Sequence, residues 1–173
     1  MRLLTTAALA AALTLAPATA DAVTTTDQGW SSSSVTVVPG GTGNWDVPKG
    51  VRAWNSTGPA VTLKAAPKKV KSCAQVAGPC ISVSTGTLPD QVAGKASSQR
   101  TDGWITSCHV TLADGYNGRT VKFYNDNVIV HEVGHCVGLG HAPFGADSIM
   151  VEGVTGLSTL RPYDVADLET LYG

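Results

Sequence analysis

The chain contains 173 residues, of which 43% are hydrophobic and 14% are charged, and its formal net charge at pH 7 is −1. This near-neutral balance, without a basic stripe, excludes a protein that binds nucleic acid through an electropositive surface. The length is sufficient for one domain with a substantial hydrophobic core.

Residues 1–20 have the pattern of a secretory signal peptide. A short basic start is followed by an apolar run of Leu and Ala that ends at Leu15, and Pro17–Ala20 provides small residues typical of a signal-peptidase site. The apolar run is shorter than the roughly 20 residues that a membrane anchor needs. We therefore predict cleavage after Ala20, a secreted, extracellular protein without a membrane partner, and a single domain at residues 21–173.

The mature chain alternates between strand patterns and helix patterns. Val47, Val51 and Trp54 recur at helical spacing and therefore indicate a helix. Pro48 lies near its start, where proline is tolerated. The predicted elements, in chain order, are a strand at 34–38, this helix at 45–55, a strand at 60–64, a strand at 81–83, a connecting loop at 86–98, a strand at 104–113, a turn at 114–118, a helix at 122–137 and a final helix. This order predicts an α+β domain in which a twisted sheet packs on two helices.

Three of the four histidines lie within eleven residues. His131 and His135 are four residues apart, so on a helix they project from one face and can bind a single zinc ion. Gly138 suits the end of this helix because glycine adopts a positive φ without steric cost, and the chain can then turn back to present His141. Three imidazoles leave the fourth zinc position open to water, which is typical of a catalytic site. Glu132 is the candidate general base.

This run reads H-E-x-x-H-x-x-G-x-x-H and resembles the elongated zinc motif of the metzincin metallopeptidases. Met150, nine residues after the third histidine, resembles the methionine of the clan's Met-turn, and residues 163–173 resemble the last helix of matrixin-type catalytic domains. The resemblance implies a metzincin-like zincin fold with a zinc cleft below an upper part that ends near residue 138. The lower part, residues 139–173, would be an irregular subdomain with a closing helix, in which Met150 lies beneath the imidazoles.

Four cysteines in an exported chain predict two disulfides, for which three pairings exist. Cys73 and Cys80 flank a Gly-Pro reversal, which favours a local bridge and leaves Cys108 with Cys136. On the helix, Cys136 lies about 140° around the axis from His131, away from the zinc-facing side. The competing interpretation is a thiol that binds zinc or keeps the protein latent.

A water molecule bound to zinc ionises near neutral pH, and Glu132 would accept its proton and pass it to the leaving amine. We therefore predict a secreted zinc metalloendopeptidase that acts as a monomer on a protein or peptide substrate and uses one catalytic zinc ion. Calcium is not supported, because Asp114, Asn117 and Asp126 form no recognisable binding loop. Two other functions stay open, namely a binding module with structural zinc and a hydrolase of non-protein amides.

The metzincin resemblance further implies that a peptide pairs with the edge strand above the cleft. We expect this strand at Trp104–Ala113, with Ser107, His109 and Thr111 on the face opposite Cys108. His109, as a lone strand histidine, is expected to be a surface or packing residue rather than a fourth ligand.

Two features depart from the family pattern. Some metzincins carry a tyrosine two residues after the turn methionine, where this chain has Glu152. Matrixins also carry a pro-segment cysteine, whereas no cysteine lies between the predicted signal peptide and Cys73. Latency through such a cysteine is therefore not expected.

Overall fold

The structure is a computed structural model that describes residues 28–56, 61–114 and 122–173. Its elements are β1 Ser34–Pro39, α1 Val47–Asn55, β2 Thr62–Ala65, β3 Cys80–Gly86, β4 Gly94–Thr101, β5 Trp104–Ala113, α2 Lys122–Val137 and α3 Pro162–Tyr172, with a short 3-10 turn at Cys73–Gln75. The predicted signal peptide and most of the predicted turn at 114–118 lie outside the described residues. Within the described residues, no helix has the length and apolarity that crossing a membrane requires.

The five strands form one mixed sheet in the order β2-β1-β3-β5-β4. The first four strands in this order run parallel to one another, and β4 pairs antiparallel with β5. The turn between β4 and β5 is formed by Asp102 and Gly103, which have φ values of 50° and 84°. Positive φ at both central residues matches the twist of a tight hairpin, which explains the antiparallel pair.

The order of the strands corrects two sequence predictions. The predicted loop at 86–98 contains the start of β4, and β5 is not an edge strand because it lies between β3 and β4. β4 reads GKASSQRT and has almost no β-branched residues, so its sequence carries little strand signal. It is held by its pairing with β5 rather than by its own pattern, and it forms the edge of the sheet.

The predicted substrate-contacting residues on β5 are therefore misplaced. Ser107 donates a hydrogen bond to the side chain of Gln99, 3.0 Å away on β4. The ring nitrogens of His109 lie 2.7 Å from the hydroxyl of Ser82 and 3.3 Å from that of Ser84. Thr111 pairs with Ser84 on β3 and with Lys95 on β4. Ser107, His109 and Thr111 are each two residues apart, so these three side chains form one set on the same face of β5. This set projects from the face of the sheet opposite the buried residues of β5, so it does not line a cleft beside α2.

The core lies between the other face of the sheet and the two helices α1 and α2. The buried side chains that fill it include Val35, Val37, Leu63, Ile81, Val83, Val110, Leu112, Val51, Trp54, Ile129 and Val133. The indole nitrogen of Trp54 donates a 2.8 Å hydrogen bond to the Val130 carbonyl, which fixes α1 against the middle of α2. The predicted α+β architecture is confirmed, with a third helix at the C-terminus.

Both predicted disulfides are present. Cys73 is bonded to Cys80, and Cys108 is bonded to Cys136, with Cα separations of 5.7 and 5.6 Å. The second bond joins the middle of β5 to the last turn of α2 and is buried. It therefore fixes the end of the helix that carries His135.

The C-terminal end of α2 is also held by side chains from both ends of the described chain. The hydroxyl of Tyr172 donates to the Val137 carbonyl at 2.6 Å and accepts a hydrogen bond from the backbone nitrogen of Trp30. The indole nitrogen of Trp30 donates to the Cys136 carbonyl at 2.7 Å. The last carbonyls of a helix have no partner within the helix, so these two bonds stabilise its end.

Candidate metal centre

The three predicted histidine ligands come together at the end of α2. One ring nitrogen from each of His131, His135 and His141 lies within 4.8 Å of the other two. The helix ends at Gly138, whose φ is +112°, and the Gly138 and Leu139 nitrogens donate to the carbonyls of His135 and Gly134. These two bonds form a Schellman motif, which reverses the chain directly after the second histidine. The reversal brings His141 back to the face of the helix that carries the other two rings.

The orientation of the two helical histidines is set by backbone carbonyls. Nδ1 of His131 lies 2.8 Å from the Ile149 oxygen, and Nδ1 of His135 lies 2.9 Å from the Leu139 oxygen. A carbonyl oxygen can only accept, so each Nδ1 carries the proton and each Nε2 presents a lone pair. The outer hydrogen bonds thus select the tautomer that can bind a metal.

The two Nε2 atoms of His131 and His135 lie 3.1 Å apart. With both protons on Nδ1, no hydrogen is available to bridge them, so two lone pairs face each other. A tetrahedral zinc with Zn–N bonds of 2.0–2.1 Å separates its nitrogen ligands by about 3.3 Å. The pair therefore fits a small cation.

Burial favours the neutral form of both rings. Desolvation lowers the pKa of His131, and it lowers the pKa of His135 to about 4 even though the Leu139 carbonyl opposes the shift. Neutral imidazole is the form that binds a metal. At neutral pH the site therefore does not need to lose a proton before it binds a cation.

His141 is exposed, and its ring centroid lies 5.3 Å from that of His131 and 4.8 Å from that of His135. The chain after it is held by a short parallel bridge between Ala142 and Val151, in which the Ala142 nitrogen donates to the Met150 carbonyl at 2.9 Å. This bridge ties the third histidine to the turn that contains the methionine.

Met150 packs against the histidine-bearing helix. It is 1% exposed, and a Cβ atom added to Gly134 would collide with its sulfur and with the ring of Trp54. Gly134 therefore allows the methionine and the indole to approach the backbone of α2 between the two histidines. The need for glycine at position 134 arises from contacts with distant residues, so the local sequence pattern does not indicate it.

Asp164 is a buried carboxylate that the sequence analysis also missed. It is fully buried and accepts hydrogen bonds from the hydroxyl of Ser148, from the Ile149 nitrogen at 3.1 and 3.2 Å, and from the Arg161 nitrogen at 2.7 Å. The Ile149 carbonyl in turn bonds to His131. An acidic residue in the first turn of a helix that begins with proline is a capping signal, and it could have marked this position.

Glu132 directly follows His131 on α2 and is 7% exposed. Burial raises the pKa of its carboxyl to about 7, against a smaller opposing effect of a hydrogen bond from the Ala96 backbone. This pKa lies close to the range in which a carboxylate can both accept and return a proton near neutral pH.

A cleft of about 260 Å³ runs past this carboxylate. Its walls include residues 91–94, which end at the first residue of β4, and residues 152–154. It is also lined by residues of α2 and the third histidine, namely Asn127, Val128, His131, Glu132 and His141. The cleft thus lies beside β4, at the open edge of the sheet, and Glu152 stands in its wall.

Asn127 fixes the loop that follows this wall. Its side chain is 1% exposed, and its amide nitrogen donates to the hydroxyl of Thr155 at 3.1 Å and to the carbonyl of Leu157 at 2.7 Å. The loop is therefore tied to α2 one helical turn before His131.

Across the described residues, the fold and the site define a mixed α+β protein with a five-stranded sheet, three helices and a histidine triad that could bind a metal ion. No protein-family profile matches the chain, and no curated protein matches it. Among solved structures, the chain is similar to the crystal structure of myroilysin, with a TM-score of 0.50, 14% identity and 87% of each chain covered.

A second similar structure is the GM1-bound form of the ECX AB5 holotoxin, with a TM-score of 0.48 and 14% identity over 81% of this chain and 80% of that chain. At these identities, the likeness to myroilysin concerns the fold alone. Any chemistry must therefore be argued from the residues of this chain.

Proposed function

We propose that this chain is a secreted zinc metalloendopeptidase of the metzincin type. The observation that carries the proposal is the pair of unprotonated Nε2 atoms of His131 and His135, 3.1 Å apart and beside the buried carboxyl of Glu132. His141 would be the third ligand. A zinc ion held by three neutral imidazoles supplies an activated water and polarises the carbonyl to be attacked.

Glu132 would act as the general base. It would accept a proton from the attacking water and return it to the amine that leaves when the amide bond breaks. Its buried position supports this role, because a raised pKa makes the carboxyl a better proton acceptor than an exposed glutamate. A cation bound next to it would lower this pKa by favouring the carboxylate.

A peptide substrate would pair with β4. The Ala113 nitrogen donates to the Ala93 carbonyl, so this carbonyl points towards β5. Successive residues of a strand direct their backbone groups to alternate sides, so those of Gly94 and the carbonyl of Ala96 point towards the open edge, while the Ala96 nitrogen donates to the Glu132 carboxylate. An extended peptide could add to this edge through main-chain hydrogen bonds, beside the cleft that His131 and His141 line.

Secretion is part of the proposal. Disulfides form and persist mainly in oxidising compartments, and Cys73–Cys80 and Cys108–Cys136 leave none of the four cysteines free. Mass analysis of the protein recovered from the culture medium tests cleavage after Ala20. An intact leader on the exported protein contradicts that prediction.

The decisive experiment compares Glu132→Gln with Glu152→Gln, a matched change in the wall of the same cleft. We expect casein cleavage by the unchanged protein to be abolished by a chelator and restored by zinc. Glu132→Gln should retain zinc and lose at least about a hundredfold in kcat, because general acid–base catalysis contributes on that order.

Glu152→Gln should keep most of the activity. Undiminished cleavage by a folded, zinc-loaded Glu132→Gln protein would disprove the assigned role of Glu132. A protein that binds zinc and cleaves no peptide in a diverse library is instead a zinc-stabilised binding module or a hydrolase of another amide.

A further inference from the structure

Gly94, the first residue of β4, lies against the candidate general base. A Cβ atom added at this position would lie 2.7 Å from Cγ of Glu132, 2.8 Å from its Oε1 and 2.9 Å from Cγ1 of Val128. Such separations are shorter than van der Waals contact, so the glutamate side chain packs directly against the backbone of Gly94 and leaves no room for a Cβ atom. The φ of Gly94 is not in the left-handed region. Glycine is therefore required here because there is no room for a side chain, and not because of the backbone conformation.

The contacts of Glu132 and those of the histidines come from different parts of the molecule. The methylene arm of Glu132 lies against Gly94, and its carboxylate accepts a hydrogen bond from the Ala96 backbone, also on β4. The Nδ1 atoms of His131 and His135 bond instead to carbonyls in the segment that follows α2. A change on β4 can therefore move the carboxylate without moving these two rings.

We propose that Gly94 is a positioning residue that sets the direction of the Glu132 carboxylate towards the metal centre. Any side chain at position 94 displaces this carboxylate and leaves the histidine site able to bind metal. The kinetic consequence rests on the proposed function. The packing between the two positions does not, and unfolding measurements on the whole chain can detect it.

The test uses Gly94→Ala and the matched control Gly86→Ala. Gly86 ends β3 in the same sheet, and a Cβ there would meet only the Thr111 methyl group at 3.1 Å. We expect Gly94→Ala to bind zinc with the affinity of the unchanged protein. Its kcat should fall about a hundredfold with little change in KM, because misplacing a catalytic group by about 1 Å has an effect of that order. Gly86→Ala should retain both constants.

A double-mutant cycle with Glu132→Ala identifies the contact that is responsible. Alanine lacks both the Cγ and the carboxylate of Glu132, so only Cγ1 of Val128 would still lie close to a Cβ at position 94. In the Glu132→Ala background, adding Gly94→Ala should lower the urea midpoint much less than it does in the unchanged protein and should leave the residual kcat unchanged. Equal effects of Gly94→Ala in both backgrounds overturn the inference, and so does an unchanged kcat in the single variant.

Two further outcomes remain decisive. If Gly94→Ala does not fold, a folded and zinc-binding Gly94→Ala/Glu132→Ala protein supports the inference, and a misfolded double variant overturns it. If the unchanged protein hydrolyses no peptide, the proposed function fails. The urea midpoints of the four proteins then still decide whether Gly94 positions Glu132.

Discussion

Replacement of Asp164 tests whether the last helix holds the metal centre in place. This carboxylate accepts hydrogen bonds from the Ser148 hydroxyl and from the Ile149 and Arg161 nitrogens, and it is fully buried. The Ile149 carbonyl bonds to Nδ1 of His131. The substitution Asp164→Ala would therefore leave three donors without an acceptor and release the turn that orients a metal ligand.

The expected loss of stability follows from the number of these donors. A buried donor that loses its partner costs about 1–3 kcal/mol, and relaxation of the turn recovers part of the sum for three. We expect Asp164→Ala to lower the free energy of unfolding by about 4 kcal/mol and Asp164→Asn by about half as much, since the amide keeps one acceptor oxygen. Zinc affinity should fall at least about tenfold, as it does when an outer-shell partner is lost.

Urea unfolding followed by tryptophan fluorescence, together with zinc competition by a chromogenic chelator, measures both effects. The matched control is Asp147→Asn, because Asp147 also bonds to Arg161, at 2.6 and 2.9 Å, but is exposed. Exposed ion pairs contribute little to stability, so this variant should unfold and bind zinc like the unchanged protein. The reasoning is refuted if Asp164→Ala unfolds at the urea concentration of Asp147→Asn or keeps full zinc affinity.

Two further predictions concern pH and use the zinc-free protein. Burial raises the pKa of Tyr172 to about 12, so the folded state retains a proton that an unfolded tyrosine loses above its usual pKa of 10.0. Stability should therefore fall between pH 10 and 12, and Tyr172→Phe should be less stable at neutral pH by about 2 kcal/mol yet lack this alkaline loss. A parallel alkaline loss in Tyr172→Phe contradicts the assignment. Burial lowers the pKa of His135 from 6.5 to about 4, so the unfolded chain binds more protons in this interval and stability should fall as the pH drops through it. Denaturation midpoints at pH 7, 5.5 and 4.5 check this sign, and His135→Gln should flatten the slope.

The sequence and the structure agree most closely along α2. The predicted bounds, 122–137, are those of the helix, and both disulfide pairings are confirmed. Helical spacing, a positive-φ glycine and a cysteine on the far side of the helix are local properties. A sequence can report these properties because they depend on residues that are only a few positions apart.

The edge strand of the sheet could not be predicted from local sequence patterns. The metzincin resemblance implies that Trp104–Ala113 is the edge strand, but the alternating pattern of this segment reports only that one of its faces is buried, not which strands lie beside it. The strand that forms the edge, Gly94–Thr101, consists mainly of small and polar residues, a composition that is typical of a loop. Its position depends on a pairing with β5, which no pattern within the strand reports.

The sequence by itself determined which residues can bind a metal, because the spacing of three histidines on one helix and its turn follows from backbone geometry alone. Only the tertiary structure decided what orients their rings. The carbonyl of Ile149, the carboxylate of Asp164 and the bare backbone of Gly94 reach the site from other elements of the chain. Their roles arise from contacts between elements that are distant in sequence, and such contacts exist only once the chain has folded.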